Sequence, residues 1–204
     1  MEIVLVRHGE SEANAAGIIQ GRGDYRLNAK GREQALATAT ALIGFRPYRI
    51  YTSPLLRALE TAQILNRPHN IEIITLDDLI EYNLGDFEGL SGDEILERFP
   101  SLPEDLRQGV PFHHLAPGAE TDQAAADRAE RAFKEIQNSG LPRVIVVSHL
   151  GILDHLLRII AREADLEDLL AALTGPLNNA SITWLQLDPF TARLIKINDT
   201  SHLA

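Results

Sequence analysis

The chain contains no cysteine. That excludes disulfides, thiolate-ligated zinc and every cysteine-nucleophile mechanism, the cysteine-dependent phosphatases included. Positive charge is also scarce, with 19 Lys and Arg against 29 Asp and Glu and a formal net charge of -10. A broad surface for nucleic acid or an anionic membrane is therefore not expected, because positive fields recruit those partners. An anionic ligand would need its own local basic pocket. No apolar run approaches the ~20 residues that span a bilayer. A strand starting at residue 2 and the polar turns that follow leave no n-region and h-region for a signal peptide. The expectation is a cytoplasmic protein. Internal repeats and low-complexity segments are absent as well.

What is present fits one α/β domain over residues 1–204, since 45% of the residues are hydrophobic and the length suffices for one substantial core. The opening stretch "EIVLVRHGES" runs Ile3, Val4, Leu5 and Val6 straight into Arg7 and His8. Four branched apolar residues in a row read as a strand buried on both faces, as parallel strands are, and such strands deliver functional residues at their carboxyl ends. A polar, glycine-rich loop follows, then a helix from about Arg32 to Ile43. "YRIYTSP" reads as a strand closed by a helix start, with Ser53 as N-cap and Pro54 as first helical residue, so that Arg57 falls in the first turns. "IEIITL" is the next strand. Residues 83–120 hold four prolines and five glycines around one short helix opened by a Ser91/Glu94 capping box, and read as an insertion over the sheet edge. A long helix with Ala125, Ala129, Phe133 and Ile136 on one face comes next. "RVIVVSH" repeats the opening pattern and leads into a helix faced by Ile152, Leu156 and Ile160. The end reads as a hairpin turning at Asp188 and Pro189, with Trp184 in a core strand. Strands alternating with helices predict a three-layer sandwich with a mostly parallel central sheet and an inserted cap segment.

The carboxyl ends of parallel strands share one edge, which would gather Arg7, His8, Arg57 and His149. Two arginines and two imidazoles suit a tetrahedral dianion, because guanidinium forks match phosphate oxygens while imidazoles donate or attack. A lone histidine at a strand end is usually structural, and RHG alone is a short motif. The joint occurrence carries the argument. For a proton donor, spacing does not choose among Glu10, Glu12, Glu81 and Asp86. The adjacent His113 and His114 come without an HExxH or carboxylate-partner pattern, so no metal is assigned and solvent exposure is the reading. "GRGD" contains a cell-adhesion tripeptide, but nothing in the sequence supports secretion.

The pieces "LVRHGES", "QGRGDYRLNAKGREQA", "YTSPLLRALETA", "LIEYNLGDFEG", "PGAET", "VVSHLGIL" and "NNASIT" resemble, in order and spacing, the histidine phosphatase superfamily, or phosphoglycerate mutase-like family, over essentially the whole chain. The resemblance implies a metal-independent phosphomonoesterase without cofactor, acting on a small phosphorylated metabolite through a phosphohistidine. It makes His8 the nucleophile, gives Arg7, Arg57 and His149 the phosphoryl oxygens, and makes Glu81 the general acid and base. Asn14 and Gln20 match positions that often contact phosphate, though both could simply order their loop. This sequence departs from the family by Leu150 directly after His149, by Asp154 where many relatives carry arginine, and by Arg26 and Asn28, expected to be neutral for chemistry. Two alternatives remain: a phosphoglycerate mutase, disfavoured because Tyr82 rather than arginine follows Glu81, and a non-catalytic binding module. The substrate and the oligomeric state, homo-oligomer included, are not legible.

Overall fold

The computed structural model describes residues 1–163, 175–188 and 191–204. Among them, six strands form one sheet: β1 (Glu2–Arg7), β2 (Arg49–Thr52), β3 (Glu72–Thr75), β4 (Arg143–Ser148), β5 (Ile182–Asp188) and β6 (Thr191–Asp199). Their order is β3-β2-β4-β1-β5-β6. Strands β1 to β4 are parallel; β5 runs antiparallel to β1, and β6 turns back antiparallel to β5, closing the sheet with a hairpin. The expected turn at Asp188 and Pro189 is half visible: Asp188 ends β5, and Pro189 lies outside the described residues.

The period of two along each strand explains the layers. Ile3 and Leu5 of β1, with Val144 and Val146 of β4, face the helices α6 (Asp122–Asn138) and α7 (Leu150–Glu163). Val4, Val6, Ile145 and Val147 point the other way, toward α2 (Ala29–Ala41) and α3 (Leu56–Asn66). Burial on both faces is why these strands read as unbroken apolar runs. Trp184 sits in β5 but is only half-buried, edge-on to Phe45, with its indole N–H donated to Glu2.

Three local expectations are corrected. Helix α2 begins at Ala29, capped by Asn28, whose side chain accepts from the Gly31 N–H. Arg32 is therefore already inside the helix. Ser53 does not cap α3, which begins at Leu56 after an extended Leu55; the serine side chain is used elsewhere. Segment 83–120 contains two short helices rather than one, α4 (Gly92–Arg98) and α5 (Leu102–Arg107). Ser91 and Glu94 do form the capping box of α4. The segment has its own apolar cluster of Phe87, Leu90, Ile95, Leu102 and Ala116. It docks on the loop after β1, where Ile19 exchanges backbone hydrogen bonds with Leu90 (2.9 Å) and Gly89 (2.8 Å).

Candidate active site

Strands β1, β2 and β4 are neighbours in the sheet, so their carboxyl ends place Arg7, His8, Ser53 and His149 side by side. The His8 N–H bonds the Ser148 carbonyl at 3.0 Å and the Ser53 N–H bonds the Val147 carbonyl at 3.0 Å. These cross-strand bonds fix the backbone beneath each side chain. Gly9 follows His8 because the chain passes against the turn entering α2: a Cβ at this position would lie 2.4 Å from the Gly31 carbonyl oxygen. The Gly9 N–H is taken by Thr61 Oγ1 at 3.1 Å.

His8 is 2% exposed, and its Nδ1 lies 2.7 Å from the Gly9 carbonyl oxygen. A carbonyl can only accept, so Nδ1 carries the proton and Nε2 keeps its lone pair. Burial first, and then the charges of Arg57 and Arg7, hold the His8 pKa well below the ordinary imidazole value. His149 is fully buried beside it, ring centroids 5.2 Å apart, and burial with Arg57 and His8 depresses its pKa too. Ser53 Oγ lies 2.8 Å from His149 Nε2, which is the use its side chain finds instead of capping. Arg57 donates to the carbonyls of Gly23 (2.7 Å) and Gly21 (2.8 Å), clamping the glycine-rich loop. Burial lowers its pKa to about 10, Glu81 and Asp24 opposing, so it stays cationic at neutral pH. Arg7 donates to the Leu177 carbonyl at 2.5 Å. Nε of Arg7, Nε of Arg57 and Nδ1 of His149 are buried without a hydrogen-bonding partner among the described residues.

Glu81 borders this basic floor, close enough that its charge raises the pKa of both Arg7 and Arg57 against the effect of burial. Its carboxylate rests on the start of α7, accepting from the Gly151 N–H at 3.2 Å and from the Tyr82 N–H at 3.0 Å. Only glycine fits there, since a Cβ at residue 151 would come within 2.8 Å of Glu81 Oε1 and 2.5 Å of the Tyr82 ring. The Leu150-Gly151 order therefore keeps the glycine where the carboxylate needs it. Buried Arg128 holds the backbone ahead of Glu81 through the Asp78 and Ile80 carbonyls and pairs with Glu120 at 2.8 Å. Arg22 reaches the Glu81 carbonyl (3.3 Å) and Glu120 (3.3 Å) from the loop after β1.

Beyond Glu81 opens a cleft of about 840 Å³, lined by Tyr82, His113, Asp122, Asp154, His155 and Arg158 among polar residues, with Leu84, Leu150 and Leu177 as apolar wall. The negative charge expected from Asp154 is met one helical turn later by Arg158, 2.7 Å away. His113 and His114 have a carboxylate partner after all, Asp122 at the start of α6. His114 is exposed, as expected, but His113 is only part-exposed. Asn14 and Gln20 are both engaged with Ser11, Asn14 as the third residue of the capping box of the short helix α1 (Glu12–Ala15) and Gln20 through a 2.7 Å hydrogen bond. Asn179 donates to the His8 carbonyl at 3.0 Å and to Asn14 Oδ1 at 3.3 Å.

Sequence reasoning had missed Ser53, Arg22, Arg128 and Asp122. Ser53 was given a helix-capping role by its neighbour Pro54. The other three act across 8 to 98 positions of chain and leave no local pattern.

The model of the histidine phosphatase superfamily (branch 1) matches residues 3–200. A metal-independent phosphoserine phosphatase of Arabidopsis thaliana is 35% identical over all of this chain and 83% of its own length. The phosphoglycerate mutase-like protein 4 of the same plant is 36% identical over 74% of this chain and 67% of its own. A mycobacterial glucosyl-3-phosphoglycerate phosphatase superposes with a TM-score of 0.80 at 27% identity, covering 98% of this chain and 99% of that one. The chain belongs to the histidine phosphatase superfamily, branch 1, and is an enzyme of the phosphoric monoester hydrolase class.

Proposed function

We propose that this enzyme is a metal-independent phosphomonoesterase that hydrolyses a small phosphorylated metabolite through a phosphohistidine at His8. The observation that carries this reading is the His8 ring itself, with its proton committed to the Gly9 carbonyl, buried beside two arginines and therefore neutral with Nε2 free. In the first step the Nε2 lone pair attacks phosphorus, the N–P bond forms and the ester P–O bond breaks. Glu81 gives its proton to the departing oxygen. In the second step water attacks phosphorus, its proton goes to Glu81, the N–P bond breaks and phosphate leaves.

Arg7, Arg57 and His149 hold the three other oxygens, where the transition state gathers charge. Their buried nitrogens, without a partner among the described residues, support that role, because such groups ordinarily have a hydrogen-bonding partner. The arginines supply the positive charge that phosphoryl transfer requires, and neutral His149 adds a hydrogen-bond donor. Asn14 and Gln20, tied to Ser11, order the loop around the site. Hydrolysis is favoured over mutase chemistry because Tyr82, the residue after Glu81, is bound to Asp122 and offers no cation to a substrate carboxylate.

The test is turnover of p-nitrophenyl phosphate, phosphoserine and glucosyl-3-phosphoglycerate after dialysis against EDTA, with vanadate as inhibitor. Undiminished turnover and vanadate inhibition are expected. Loss of activity restored by magnesium would overturn the reading. Interconversion of phosphoglycerates with little phosphate release would replace the hydrolase by a mutase.

A further inference from the structure

The rim of the cleft gathers three potential ligands from two elements. His113 and His114 form the 3-10 turn Phe112–His114, and Asp122 opens α6. His113 Nε2 lies 2.5 Å from Asp122 Oδ1 and His114 Nε2 lies 2.9 Å from Asp122 Oδ2. All three donor atoms fall within 4.8 Å of one another. The imidazoles pack edge to face, centroids 4.5 Å apart.

We propose that His113, His114 and Asp122 form a binding site for a divalent transition-metal ion of the zinc type, separate from the phosphoryl chemistry. Two imidazoles and one carboxylate are a zinc donor set with the fourth position left open, and imidazole selects against magnesium and calcium. Bonds of the usual length in tetrahedral geometry place ligand atoms about 3.3 Å apart. The two His–Asp pairs therefore need to open by less than about 1 Å to admit the ion. Both rings are partly exposed, at 28% and 38% of the side chain, and can turn that far.

The carboxylate also has an outer partner of the kind that orients metal ligands. Tyr82 donates its hydroxyl proton to Asp122 Oδ1 at 2.7 Å, and His155 Nε2 lies 2.5 Å from that hydroxyl. With the hydroxyl proton committed to Asp122, His155 Nε2 is the donor in the second contact. The chain Asp122–Tyr82–His155 thus fixes the carboxylate from behind.

The full-length protein, stripped with EDTA, would be titrated with zinc by calorimetry and with cobalt by visible absorption. Binding itself is read, so the result is independent of the hydrolase reading. Expected are one equivalent of zinc, cobalt d–d bands of a low-symmetry site, and affinity reduced by about 100-fold in His113→Ala and His114→Gln, with about tenfold loss in Tyr82→Phe. His69→Ala, in the turn between α3 and β3 and outside the cleft lining, should bind as the parent does. Each variant is first checked for an unchanged circular dichroism spectrum and melting temperature, and exposed His114→Gln decides if His113→Ala is unstable. Absence of stoichiometric uptake, or parental affinity in folded His114→Gln, overturns the proposal.

Discussion

The basic floor is made where β1, β2 and β4 end in the middle of the sheet, whereas the rim of the cleft beyond Glu81 is shared by the starts of α6 and α7 and by Leu84 and His113 of segment 83–120, a segment that packs around a cluster of its own. On the floor, His8, Ser53, Arg57 and His149 are all at most 2% exposed, and the backbone at His8 and Ser53 is paired across strands. On the rim, His113, Asp122 and Arg158 remain partly open to solvent. Groups that hold a transferring phosphoryl must not move, since misplacement by about 1 Å can cost on the order of 100-fold in rate. Groups that meet the rest of the substrate can tolerate adjustment. On the proposed mechanism chemistry falls to the sheet edge and selection to the rim, a division that can be tested from both sides.

His8→Ala should have the largest effect, a loss of turnover on the order of 10⁴-fold or more with every substrate. Labelling quenched in alkaline detergent should then show none of the alkali-stable, acid-labile phosphoenzyme expected of the parent. A variant only tenfold slower would take the nucleophile away from the floor. Glu81→Gln, at the boundary, should slow alkyl phosphates by about 10² to 10⁴-fold but p-nitrophenyl phosphate far less, because a good leaving group needs no proton. Equal losses on both substrate classes would remove Glu81 as the acid.

Ile95→Ala tests the rim through its packing. Removing this 1% exposed side chain costs about 2 to 5 kcal/mol of apolar packing, felt within the segment's own cluster. KM for the natural substrate should rise several-fold while kcat with p-nitrophenyl phosphate holds. A matching fall in kcat would mean that floor and rim are one unit.

The smallest effect is in pH. His8 and His149 both have folded pKa values below the ordinary 6.5, so the unfolded chain takes up protons first as pH drops. Stability is therefore full above about pH 6.5 and declines as pH falls from there toward the folded values. Melting temperatures across this window should drop, and the slope should flatten in His149→Gln. If His155→Gln, on the rim, flattened it as much, the deep burial of the floor would not be its source.

The strands were legible because burial on both faces leaves unbroken apolar runs, as in Ile3 to Val6 and Val144 to Val147. The basic floor was legible because strand ends carry it, and four of its side chains follow directly from chain direction. Resemblance was needed to single out Glu81: no local pattern distinguishes a carboxylate that rests on the N-terminus of α7, 70 positions away. Ser53 was misread because a Ser-Pro pair before an apolar run obeys the rules of a helix start, and tertiary demand from His149 took the side chain instead. Asp122 was invisible as a partner for His113 because the two sit on separate elements that only the folded segment brings together.

The pinning of segment 83–120 has a consequence for how such enzymes can diversify. On one side Ile19 bonds Gly89 and Leu90; on the other, Pro117 accepts from the Asp86 N–H at 3.0 Å and Asn83 accepts from Glu120 at 2.8 Å. Everything between Ser91 and Ala116 thus leaves and returns through a narrow neck. With the ends already held together, doubling the length of the excursion adds only about 0.6 kcal/mol of closure entropy. The stretch can be lengthened, shortened or exchanged for that of a relative as a cassette, with the arginines and histidines beneath it left in register.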